Sequence, residues 1–231
     1  DDVVTCYQLL SKPHRAELVV RERLKERETP YMLNALGDLT NNESFYTRAW
    51  TLSNRRYARA KRTLAKKCFD RSQWEECVSH LQEALHVQPL ISSSWYLLGL
   101  ACIHCEKFDE AISAFTSSIQ TCEESEGEGA ESWTNIGAIH MKRNDHRLAI
   151  GPLSQALKLR PDNWRIRENI VTCCMHLERW REVCSHLETL LSLSLKHQFG
   201  TGVYISEMRE LVKAAASEIE REREKENEGN G

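Results

Sequence analysis

Apolar residues along this chain fall into clusters separated by short polar breaks, and two clusters are near copies of one another. One runs Trp95-Tyr96-Leu97-Leu98-Gly99, then Ala111 and Phe115. The other runs Trp133-Thr134-Asn135-Ile136-Gly137, then Ala149, Leu153, Ala156 and Pro161. In both, a Trp stands four residues before a Gly, and a small residue follows twelve later. The twelve-residue interval recurs from Gly37 to Ala49, Ala65 to Cys77, Gly99 to Ala111, Gly137 to Ala149 and Val171 to Val183, with Val4 and Ala16 a weaker sixth case. The first members advance by 33, 28, 34, 38 and 34 residues. A fixed period of this size is the mark of a stacked repeat. The 38 is a 34 with four residues inserted around Ser125-Glu126-Gly127-Glu128-Gly129, and the 28 implies a shortened helix or turn.

The spacing predicts two antiparallel helices per unit. A bulky side chain where they cross would force their axes apart, so Gly or Ala on the first helix is expected to face Ala or Cys on the second. Large residues such as Trp95, Leu98 and Phe115 then fill the volume between units. Pro89 and Pro161 stop the second helices. Polar breaks at Arg71-Ser72-Gln73, Glu106-Lys107-Phe108-Asp109 and Arg143-Asn144-Asp145-His146 mark the turns, with Asp109 and Asp145 as expected helix caps. One pair cannot bury its apolar face alone, whereas several stacked pairs can. The chain divides into a partial repeat at 1–29, a short repeat at 30–57, repeats at 58–91, 92–125 and 130–163, and a divergent repeat at 164–197. A capping helix and charged, disordered tail follow at 203–231, the helix carrying Val203, Met208, Leu211, Val212, Ala215 and Ile219 on one stripe.

These residues resemble the tetratricopeptide repeat family over about residues 1–197, most closely at 92–125 and 130–163. The resemblance implies an all-α fold, a right-handed superhelix or α-solenoid of antiparallel helix pairs. Leu36-Gly37-Asp38-Leu39, Ala49-Trp50-Thr51-Leu52-Ser53 with Arg59-Ala60-Lys61-Arg62, and Asn163-Trp164-Arg165-Ile166-Arg167-Glu168-Asn169 further resemble the tetratricopeptide repeat protein 27 family. That likeness implies an adaptor in complex assembly, without a known catalytic site. Its members are longer than this chain.

In such proteins the first helices of successive units line a concave groove. Here that face would carry Arg59, Arg62 and Lys66, then Tyr96, Leu97 and Leu100, then Asn135, then Arg165 and Asn169. The stretch 54–69 holds seven positive charges and no acid. An amide such as Asn135 or Asn169 can pair with both C=O and N–H of a bound main chain. The expected partner is another protein, presenting an extended or helical segment with acidic residues beside an apolar stretch. A conventional clamp for heat-shock chaperone C-termini is not expected: in the frame 92–197 only Asn135 and Arg165 match it, while Tyr96, Leu100 and Asn169 do not. The alternative is an RNA-associated adaptor that uses the basic stretch. Tyr57 and Phe69 are its only aromatics, a thin set of stacking platforms, so nucleic acid is the lesser reading.

Composition changes the picture in a few respects. With 41% hydrophobic and 28% charged residues the chain has a globular balance, and its net charge of −3 gives no bulk attraction for nucleic acid or acidic membrane. No stretch approaches the ~20 apolar residues of a membrane span. The chain opens Asp1-Asp2 without Met, and reads as a piece of a longer protein. Nine cysteines without a disulfide framework point to a reducing compartment, the cytoplasm with the nucleus as second choice. Cys102-Ile103-His104-Cys105 has the spacing of half a zinc site, but no second half exists, and Cys68, Cys102 and Cys174 occupy one repeat position as small packing residues. No metal and no cofactor are expected. The histidines form no nucleophile arrangement, and neither a phosphate-binding glycine loop nor a His-Glu-x-x-His is present, so the chain is read as no enzyme.

Overall fold

The structure is a computed structural model that describes residues 13–122, 128–197, 211–214, 216–221 and 223. The described residues form helices and no strand. In chain order these are α1 (Pro13–Glu26), α2 (Pro30–Thr40), α3 (Ser44–Leu52), α4 (Ala58–Asp70), α5 (Trp74–Val87), α6 (Ser92–His104), α7 (Phe108–Thr121), α8 (Glu128–Lys142), α9 (His146–Leu159), α10 (Trp164–His176) and α11 (Trp180–His197). Residues 211–214 and 216–221 are also helical. The chain forms two compact units, Asp1–Thr121 and Cys122–Gly231. In the first, each helix from α1 to α7 packs on its chain neighbour; in the second, α8 to α11 do the same and α8 also touches α10. Contacts between chain neighbours are what a repeat array requires, since each pair buries its open face on the next.

The expectation that small residues face each other at the crossings holds for Gly137, where a Cβ would lie 3.5 Å from Ala149 O, but it leaves out the tightest contacts. Ala49, Cys77, Ala111 and Ala149 are indeed fully buried on the second helices. The glycines, however, make room for a larger side chain one turn further on. A Cβ on Gly99 would lie 2.6 Å from Phe115 Cε1, and one on Gly137 2.6 Å from Leu153 Cγ. Phe115 and Leu153 each stand sixteen residues after their glycine, and Leu81 and Leu187 hold the same place after Ala65 and Val171. All four are almost completely buried. In the short pair α2/α3 Gly37 faces Tyr46 instead, with a Cβ-to-ring distance of 2.7 Å.

The turns inside the pairs share one backbone device. Ser72, Glu106, Asn144 and Glu178 have φ of 60°, 58°, 62° and 56°, the left-handed conformation. The following N–H bonds back across the helix end: Gln73 to Cys68 O at 2.8 Å, and Lys107 to Cys102 O, Asp145 to His140 O and Arg179 to Cys174 O at 2.9 Å. This satisfies carbonyls that the helix leaves open. A side chain in this conformation costs about 1–2 kcal/mol that glycine avoids, less the extra freedom glycine has in the unfolded chain. Glu106→Gly is therefore expected to raise stability by about 0.5–1 kcal/mol in urea denaturation.

The caps differ from expectation. Asp145 precedes α9 but makes no side-chain capping bond, and Asp109 lies within the first turn of α7. Side-chain caps form at Thr29, whose Oγ1 accepts from Met32 N–H, and at Asn163, whose Oδ1 accepts from Arg165 and Ile166 N–H. At the C-terminal end, Val212 packs against the cluster containing Leu187 and Leu190. Val4, Ser125 to Gly127, Val203, Met208, Ala215 and the end of the charged tail lie outside the described residues.

Candidate functional site

Helix α4, Ala-Arg-Ala-Lys-Arg-Thr-Leu-Ala-Lys-Lys-Cys-Phe-Asp, is built from strong helix formers with one apolar face. Ala58, Ala60, Leu64, Ala65 and Cys68 are buried. Arg59, Arg62 and Lys66 follow one another at i, i+3 and i+7 and so share another face.

The structure divides the seven cations of this region into two sets. Lys61 and Lys67 are committed internally. The Lys61 ammonium lies 2.9 Å from Glu83 Oε1 and 5.6 Å from the Trp50 ring centre. Lys67 donates to Asn41 Oδ1 and sits 5.5 Å from the Tyr46 ring centre. No ion pair holds Arg55, Arg56, Arg59, Arg62 or Lys66 among the described residues. Arg59 stands 6.0 Å from the Tyr31 ring centre, at the outer limit of a cation–π contact. Arg62 is half-buried and its Nε is buried with no hydrogen-bond partner. Burial, then the nearby Arg59 charge, pushes its pKa down from the usual guanidinium value. Burial likewise pushes the Tyr57 hydroxyl up.

Tyr96, Leu97 and Leu100 lie on α6 and are half-buried. Tyr96 and Leu100 occupy the repeat positions that Arg62 and Lys66 hold on α4. Tyr96 was expected to be spare for binding; its ring also packs edge-on to Phe115 at 5.7 Å. In the second unit Asn135 is half-buried on α8 and Asn169 half-buried on α10. Arg165 is exposed, its guanidinium 5.3 Å from the Trp164 ring centre.

Sequence reasoning missed a pairing at the Trp position of the repeat. Where α6 and α8 carry Trp95 and Trp133, α4 and α10 carry Lys61 and Arg167. Each cation meets a histidine nineteen residues on: Lys61 Nζ is 3.2 Å from His80 Nδ1, and Arg167 Nη1 is 3.4 Å from His186 Nδ1. The signal was available as a cation with a histidine at a fixed offset, repeated in two units. Buried cysteines at the packing positions are held in the thiol form. Burial pushes Cys77 up to about 12 and Cys102 and Cys174 up to about 11. Among the described residues no group of three or more His, Cys, Asp or Glu is placed to hold a metal ion, and no helix is long and apolar enough to cross a membrane.

Comparison with known proteins agrees with this architecture. The tetratricopeptide repeat family model matches residues 92–124. A TPR repeat-containing protein of Schizosaccharomyces pombe is 30% identical over 201 residues, which is 86% of this chain and 24% of the relative. A tetratricopeptide repeat protein 27 homolog of Dictyostelium discoideum is 38% identical over 107 residues, 46% of this chain and 12% of the relative. The chain thus spans about a quarter or less of the length of these curated relatives. Among solved structures, YrrB, described as a TPR protein with an unusual peptide-binding site, aligns with a TM-score of 0.58 at 16% identity, covering 76% of this chain and 84% of that one.

Proposed function

We propose that this tetratricopeptide-repeat chain is a non-catalytic scaffold that holds an acidic segment of another protein against the first-helix face of its first unit. One observation carries the reading: Arg59, Arg62 and Lys66 share a face of α4 with no carboxylate partner, while Lys61 and Lys67 beside them are satisfied internally. A half-buried guanidinium with a buried, unpartnered Nε has given up solvation without an anion in return. A partner carboxylate would supply that anion, and Arg binds carboxylates through paired N–H donors. Tyr96, Leu97 and Leu100 offer apolar surface for the neighbouring part of the segment. In the second unit Asn135, Asn169 and Arg165 give a separate polar surface suited to a main chain and a carboxylate. Binding of this kind suits a role in assembling larger complexes, in the cytoplasm or nucleus where a cysteine-rich chain stays reduced.

The test is a pull-down with the immobilised full chain. Arg62→Glu with Lys66→Glu is expected to lower capture of its protein partners by about tenfold or more. Circular dichroism should be unchanged, because Lys66 is exposed and Arg62 only half-buried. Unchanged capture by the folded variant would overturn the proposal.

A further inference from the structure

A second surface lies in the first unit, where α5 and α7 flank α6. Two adjoining cavities, of about 410 and 460 Å³, share Gln82, Trp95 and Leu98, and so form one continuous groove. Its apolar lining comes from Leu85 on α5, Trp95 and Leu98 on α6, and Ala114 on α7. Trp95 is fixed in place: its indole N–H donates to Pro89 O at 2.7 Å. Ala114 holds the register that His80 fills in the preceding pair, so this pair carries a methyl group where its neighbour carries an imidazole. Beside Pro89 at one mouth, Leu90 is 81% exposed. Burying so large an apolar side chain against a partner is favourable.

The groove is polar and signed at its edges. Gln82, Ser113 and Ser117 offer hydrogen-bonding groups along the rim. Asp109 and Glu110, in the first turn of α7, line the end away from Pro89. Among the described residues no Lys or Arg lines either cavity, and His86 lines the one beside Pro89. The surface therefore selects the opposite charge from the α4 stripe.

We infer that this groove is a second docking surface, for a short protein segment with a large apolar side chain and a Lys or Arg beside it. The apolar side chain seats on Trp95 and Leu98, and the cation reaches Asp109 and Glu110. The rim groups meet the segment's main chain. Leu90 extends the contact at the far mouth. The occupant is another protein and its chemistry is cationic and apolar, so this site and the α4 face can be filled at once by different segments.

A random short-peptide library displayed on phage, panned against the full chain, tests the inference. The expected result is an enriched class pairing an aromatic or aliphatic residue with Lys or Arg. A synthetic, fluorescently labelled peptide of that class should bind about tenfold or more weakly to Ser117→Arg, which obstructs the groove, and to Glu110→Lys, which reverses its charge. It should bind Arg62→Glu with Lys66→Glu as it binds the unaltered chain, which separates this site from the α4 face. Glu110 is exposed, so Glu110→Lys keeps the test valid should Ser117→Arg fail to fold. Absence of such a class, or binding indifferent to both groove variants, would overturn the inference.

Discussion

Gly99→Ala is expected to destabilise the chain by about 1–3 kcal/mol, and Phe115→Leu to remove most of that penalty when the two are combined. The added methyl would sit 2.6–2.8 Å from three atoms of the Phe115 ring. The ring has little room to retreat, because Phe115 is fully buried and packs against the Tyr96 ring at 5.7 Å. Either the helices separate or the ring leaves its rotamer, and both are costly in a close-packed interior. A leucine there has no ring to clash and can take the placement of Leu81, which is buried in the same register from Ala65 in the preceding pair, rather than that of Leu153, which leaves no room for a Cβ on Gly137. Phe115→Leu alone should also destabilise, because it leaves unfilled volume beside a glycine. The four proteins of the cycle, compared by urea denaturation, should show a favourable coupling of about 1 kcal/mol or more between the two changes. Additive effects would mean that Gly99 is not there to accommodate the ring.

That result bears on what could be read from the residues in advance. The helix pairs were legible because their period is written in small residues that recur in register, such as Gly99 with Ala111 and Gly137 with Ala149. What the glycine faces was not legible, because a spacing shows which positions must be small and not which neighbour requires it. Phe115 and Leu153 come one turn after the alanines that share the crossing. The left-handed turn residues were equally hidden. Ser, Glu, Asn and Glu fill a position where glycine would have announced the conformation.

The candidate site was half legible. Seven cations without an acid stand out in 54–69, but a linear count cannot separate charges facing solvent from those turned inward. Lys61 finds Glu83 on α5, and Lys67 finds Asn41 beyond the end of α2. Those partners are distant in sequence, so only the folded arrangement leaves Arg59, Arg62 and Lys66 as the residual positive face of α4, with Arg55 and Arg56 exposed just before it.

The same inward-turned cations predict that the protein weakens in mild acid, losing melting temperature as pH falls through about 6.5, the ordinary histidine value. Lys61 donates toward His80 Nδ1 and Arg167 toward His186 Nδ1, so each ring must keep a lone pair there and remain neutral. Burial first, and then the adjacent cation, pushes both pKa values down. Glu83, Glu76 and Glu43 act the other way on His80, as Glu182 does on His186, without reversing the direction. His146 is lowered as well, by burial and then by His176, whose ring stacks on it at 4.0 Å, with Asp145 opposing. A depressed histidine pKa means that the unfolded chain takes up the proton first. The stabilising contribution is whole above the unfolded value, falls as pH drops below it, and stops falling once the folded rings also protonate. Melting followed by circular dichroism from about pH 7.5 to 5 should therefore show a decline that begins near 6.5. Gln at both positions keeps an acceptor for Lys61 and Arg167 but cannot titrate, so His80→Gln with His186→Gln should flatten most of the decline. His146 would account for the remainder. A melting temperature constant over that range, or a slope identical in the double variant, would show that these two rings are not what acid attacks.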